Sequence, residues 1–279
     1  MTTVTAPTNT STTAPAGRSV RDTAGMTFPR LVVAEWTKIR TVRSTVWTLG
    51  ALVLVSVGLT GLIAMAVAPE LAQGTETEPV GAFLTWGLMF GQVAALVLGV
   101  LAASSEYASG MIRTTLAAAP RRQYVLAAKA TVLGGLVFAL GTVTSFLSYF
   151  ASRFFFAQEN VAMELSEPGV IRAVLGGGLY LAVLALFGLG LGLLLRHTAG
   201  AVTVGLALIF VVGNLVMLVP GTLGEWLTKL MPGNAGSGIT MVENFNPVAL
   251  EPWAGFGVFV GQTALLLAVA AMSFSRRDA

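Results

Sequence analysis

The stretch AVLGGGLYLAVLALFGLGLGLLL, residues 173–195, decides the fold. It contains no Asp, Glu, Lys or Arg, and an arginine stands at either side of it, Arg172 and Arg196. A helix of this length rises about 34 Å, enough to cross a hydrocarbon core of ~30 Å. Five more stretches read the same way: 46–68, 82–103, 130–151, 199–220 and 253–274, none with a charged side chain. Each reaches the ~20 residues that a crossing needs. The expected fold is an all-α integral membrane protein with six transmembrane helices.

Composition agrees. Charged residues make up 10% of the chain, against about 25% in soluble domains. Hydrophobic residues reach 55%, and the mean hydropathy is +0.80. A soluble fold of 279 residues could not hide that much apolar surface, whereas lipid solvates it. The chain has no cysteine, which excludes disulfides, thiolate catalysis and cysteine metal sites. One histidine, His197, cannot build a histidine cluster, and no metal site is expected.

The charges that remain are sorted by side. Of 16 basic residues, 13 fall before the first stretch, between the second and third, between the fourth and fifth, or after the sixth. The alternate loops hold only Arg153, Arg172 and Lys229, together with nine of the 13 acids. Cytoplasmic loops are rich in Lys and Arg. This places both termini on the cytoplasmic side, which an even number of spans requires. The net charge of +3 then reflects orientation in the lipid bilayer, and no nucleic-acid partner is expected.

Between and before the spans, four segments differ in character. Residues 1–29 are rich in Thr, Ala and Pro without an apolar run, so they read as a disordered cytoplasmic tail rather than a signal peptide. Residues 30–45 read as an amphipathic interfacial helix. At 100° per residue, Leu31, Val32, Trp36, Ile39 and Val42 share one arc, although Glu35 and Arg43 fall on it too. The loop 104–129 is long for a connection, with Gly110 and Pro120 bracketing a short helical pattern. Residues 221–252 contain GEWLTKLMPGNAG, which reads as an outer interfacial or re-entrant helix packed on protein. The spans themselves, 46–277 with these loops, form one transmembrane domain.

Within the spans the polar groups are neutral. Gln92, Thr142, Ser145, Asn214 and Gln262 are the candidates for a substrate path. Interhelical hydrogen bonds, averaging ~0.6 kcal/mol, are the plainer role for them. Ion-coupled carriers usually keep a charged group within the membrane, which weighs against that class. A phosphate loop would need a Gly-Lys pair, and the chain has none, so no ATP is expected to bind here. Pairs of glycines spaced by four, at 87/91, 188/192 and 257/261, allow close helix contacts.

Three motifs, AEWTKIRTVRS (34–44), SSEYASGMIRTTLAAAPRRQYVLAAK (104–129) and LMPGNAG (230–236), occur in order within the six spans. In this the chain resembles the membrane (permease) subunit of bacterial type-2 ATP-binding-cassette (ABC) exporters. The resemblance implies a location in the bacterial plasma membrane and a second permease copy or paralogue, the two forming the substrate path. It implies separate cytoplasmic ATPase subunits that bind ATP and Mg. It marks 30–45 as a connecting helix and carries over Glu35 and Lys38, beside Trp36, Arg40 and Arg43 of the interfacial-helix reading. It marks the loop as the ATPase-coupling element, with Glu106, Gly110, Arg113, Pro120, Arg121, Arg122 and Lys129. A buried acid at Glu106 needs a cation, and Arg113 and Arg40 are the expected partners. The rival readings are a secondary carrier or channel, and a membrane anchor that moves nothing.

Overall fold

The computed structural model describes residues 27–76, 78–111, 114, 122–243 and 248–276. Among these there are helices and turns and no strand, and six helices are long and apolar enough to cross a membrane. They fit a multi-pass membrane protein. Most of the expected tail, and Arg113, Pro120 and Arg121 of the expected coupling loop, lie outside the described residues.

The chain opens with α1 (Phe28–Thr41), started by Pro29 in its first turn. The expected 30–45 unit is shorter, because Val42 takes an extended conformation (φ −83°, ψ 113°) and separates α1 from α2 (Arg43–Gln73), the first span. Free of α2, α1 sets Leu31 against Val125 and Ala128 at the start of the third span. The second span is α3 (Leu88–Ala108). It begins six residues later than expected, because its approach is an irregular buried turn. There Gly87 N–H donates to Thr60 Oγ1 at 2.9 Å, and Thr85 Oγ1 donates to the Thr240 carbonyl at 3.1 Å. Backbone of this kind is tolerated at membrane depth only where protein satisfies it.

The third span, α4 (Arg122–Gln158), is longer than the apolar run it contains. Its 37 residues make a rod of roughly 55 Å. The first turns of α4 therefore take up the end of the expected loop 104–129. The fourth span, α5 (Val170–Leu195), is the core of the bundle: 72% of its apolar window is buried, against 22% for the fifth and sixth spans. The fifth span is composite. It runs as α6 (Thr198–Leu206), a π-helical segment (Ala207–Val212) and α7 (Gly213–Val216). The sixth span is α10 (Pro252–Arg276).

Between the fifth and sixth spans the expected single helix is two: α8 (Gly221–Leu230) and α9 (Pro232–Ser237), broken at Met231. They fold back into the bundle. Gly233 lies on the Ile209 carbonyl of the π segment, Gly236 lies against Phe259 and Tyr180, and the fully buried Ile239 lies on Gly176 of α5. These contacts put the segment on protein, one of the two placements expected of it.

Two of the three glycine pairs are consumed inside the chain. Gly87 and Gly91 bring α3 onto Ser56 of α2, and Gly188 and Gly192 bring α5 onto the Leu96 and Val100 carbonyls of α3. Gly257 and Gly261 have no atom within 4 Å in the place a side chain would occupy.

Candidate functional site

At the end of the bundle that carries α1, four charged side chains meet. Glu35 and Lys38 sit three apart on α1, hence on one face of the helix. Glu106 lies in the last turn of α3, and Lys129 two turns into α4. Lys38 Nζ reaches Glu35 Oε1 at 2.8 Å and Glu106 Oε1 at 2.6 Å. Lys129 Nζ reaches Glu35 Oε2 at 2.8 Å and Glu106 Oε1 at 2.6 Å. Each lysine thus touches both glutamates, and the four form a closed ring of alternating sign. Glu35 is 5% exposed, Glu106 1% and Lys129 6%. Charges this buried are costly unless fully paired, and the ring supplies the pairing. Burial alone would pull the Lys38 ammonium down, but Glu106 and Glu35 outweigh it and hold it above its ordinary 10.5. It is charged at physiological pH.

Of the two expected partners of Glu106, Arg40 is corrected by this geometry. Arg40 does not meet Glu106; its guanidinium lies 5.9 Å from the Trp36 ring centroid on the exposed side of α1. Arg113 lies outside the described residues. Lys38 and Lys129 take the role, because α1 packs along α4. Arg43 stands at the exposed start of α2, apart from the ring.

Other contacts brace the same end. Arg122 Nη1 donates to the Phe274 carbonyl at 2.7 Å and its guanidinium stacks over the Phe274 ring, tying the start of α4 to the end of α10. Arg196 lies over the Tyr107 ring at 5.0 Å, and Thr198 Oγ1 donates to Ser104 Oγ at 2.8 Å, tying α6 to α3. After α3, Gly110 turns the chain with φ +69°, a conformation that other residues adopt only with strain. Gly110 therefore releases the loop from α3 at a fixed point.

The candidate substrate-path residues separate into two groups. Gln92 and Asn214 line a cavity of about 280 Å³ at the opposite end of the bundle. Gln92 accepts from Tyr180 Oη at 2.5 Å, and Asn234 on α9 donates to the Gly213 carbonyl at 3.2 Å. Thr142 and Ser145 do not reach the cavity; they lie on Gly178 and Gly177 of α5, where the missing side chains leave them room. Gln262 does not line it either, since its Nε2 donates to the Leu230 carbonyl at 2.6 Å and pins α10 to the end of α8. Sequence reasoning missed Tyr180, Asn234, Trp86 and Lys229, which also line the cavity. Their lining role depends on how α8 and α9 fold back, which no local pattern encodes. Among the described residues no group of three His, Asp or Glu gathers to hold a metal ion.

No protein-family model and no curated protein matches this chain.

Proposed function

We propose that the chain is the permease subunit of an ATP-driven exporter of the type-2 ABC kind. In this reading the α1 end faces the cytoplasm, α1 lies in the headgroup layer, and separate ATPase subunits dock on the segment between α3 and α4. Two permease subunits form the path, and ATP and Mg are handled by the partner. The ring of Glu35, Lys38, Glu106 and Lys129 carries the reading. Ionisable groups buried in a membrane protein are costly and mark function. This ring ties α1, α3 and α4 into one body at the end of α3 and the start of α4, the two ends that the 109–121 segment joins. A force applied to that segment is delivered to the second and third spans together, instead of unwinding the end of α3.

Two experiments test this. Purification in mild detergent should bring down an ATPase bearing a phosphate-loop lysine, and hydrolysis should vanish when that lysine of the partner is changed. Hydrolysis by the chain alone, or a purified chain whose transport runs without any ATPase, defeats the proposal.

Orientation has its own test, helped by the absence of native cysteine. Ser109 and Thr222 are exposed at opposite ends, whereas Ser104 is buried and a poor reporter. An impermeant maleimide should label Thr222→Cys on intact cells, and Ser109→Cys only after permeabilisation. The opposite pattern inverts the bundle and removes the docking site from the cytoplasm.

A further inference from the structure

The cavity at the far end has a chemistry of its own. It lies between α3, the π segment of the fifth span and the α8–α9 hairpin. Its walls are mainly apolar, with Trp86, Met89, Phe210 and Met217 among them. The polar groups that reach it are neutral amides and hydroxyls, with one exception. Among the described residues, Lys229 is the only charged side chain in the lining. Its ammonium lies 5.1 Å from the Trp226 ring centroid, and no carboxylate among the described residues pairs with it. A lone ammonium beside an apolar, acid-free cavity attracts one negative charge and repels a cation.

Size narrows the ligand further. The volume of about 280 Å³ sits at the bottom of the ~300–1,000 Å³ range of small-molecule sites. That is room for one alkyl chain. A π-helical turn, a feature frequent at functional sites, interrupts regular helix bonding at the point where Ile209 and Phe210 line the cavity.

We infer that this cavity binds a single-chain amphiphile with one negative charge, its chain among Trp86, Met89, Phe210 and Met217 and its head at Lys229. The inference does not rest on the export reading, because binding needs no ATPase. The amphiphile could enter as exported cargo or as a resident of the bilayer, and the two sources differ in whether ATP moves it.

Trp86 is a reporter inside the site. In nanodiscs of the full chain, terminally brominated dodecanoate should quench its fluorescence saturably, read as the difference between the native chain and Trp86→Phe. A variant keeping Trp86 alone, with the other four tryptophans changed to Phe, gives the same signal directly. Binding should be about tenfold tighter than that of the brominated dodecyl trimethylammonium, as one close charge contact provides. Lys229→Gln should erase this preference while leaving quenching by brominated dodecanol unchanged. Quenching that rises linearly with probe and matches that of lipid-facing Trp47 would mean partition into lipid only and would overturn the inference. A preference for the cation, or no change in Lys229→Gln, would overturn it too. With binding established, ATP-dependent release of labelled dodecanoate from vesicles holding the chain and its ATPase marks cargo; retention marks a bilayer resident, and the site stands in both cases.

Discussion

Lys129→Met will destabilise the bundle by about 3–5 kcal/mol, the cost of breaking a buried ion pair by removing one partner. The change leaves Glu35 and Glu106, both nearly inaccessible to water, to share Lys38. One negative charge is then buried without compensation. Glu106→Gln produces the mirror defect, with both lysines drawn to Glu35. The combined Glu106→Gln/Lys129→Met variant should be milder than either single change, since it removes a neutral pair and leaves the Glu35–Lys38 contact on α1. Glu76→Gln, at a half-buried site outside the ring, should cost much less than either single change in the ring. Chemical unfolding in a mixed micelle reads all four variants. Additive single effects, or a Lys129→Met protein as stable as the native one, would show that the four groups do not act as a unit. In the export reading, the single variants should also lose the stimulation of the partner ATPase at matched expression.

A second large effect is steric. In Gly99→Ala the new methyl group would overlap the Ala185 carbonyl oxygen, and in Gly188→Ala it would overlap the Leu96 carbonyl oxygen. Neither neighbour is a flexible side chain; each is the backbone of a facing helix. α3 and α5 would have to separate along the most buried seam of the protein. Overpacking of this kind costs about 1–3 kcal/mol, above the small gain that Ala brings to helix propensity. Gly257→Ala meets open space and should be neutral or slightly stabilising. If all three variants unfolded at the same denaturant concentration, the close approach of α3 and α5 would be refuted.

The two effects differ in how far the sequence foretold them. The six spans were legible because hydrocarbon demands one property, an uninterrupted apolar run, and the chain supplies it six times. Their ends were less legible. α4 continues past its apolar run because Val125, Ala128 and Lys129 pack on α1 and Arg122 holds the end of α10 instead of meeting lipid. Glu35 was the most telling residue in retrospect. It fell on the apolar arc of its helix, where it read as an imperfection, and it is the second of only two buried residues of α1. An acid on the buried face must have a cation opposite it. Which cation was not legible, because Lys129 lies 94 residues away in sequence and is brought close only by the packing of α1 on α4. Among neutral polar residues no local pattern distinguishes a cavity wall from a helix seam. Thr142 and Asn214 have the same standing in a hydropathy reading; Gly178 opposite one, and the fold-back of α9 opposite the other, separate them.

The ring of two acids and two bases has an electrical consequence. A single charge moved through a membrane potential does work of about 2.3 kcal/mol per 100 mV. Glu35, Lys38, Glu106 and Lys129 sum to zero, and they are held within hydrogen-bond distance of one another. When α1 and the adjoining ends of α3 and α4 shift as one body, the four ions cross the field together and their contributions cancel. The ring itself therefore adds no gating charge to a displacement of this end toward or away from the bilayer, and the potential acts there on the arginines outside the ring, Arg30 and Arg40 of α1 among them.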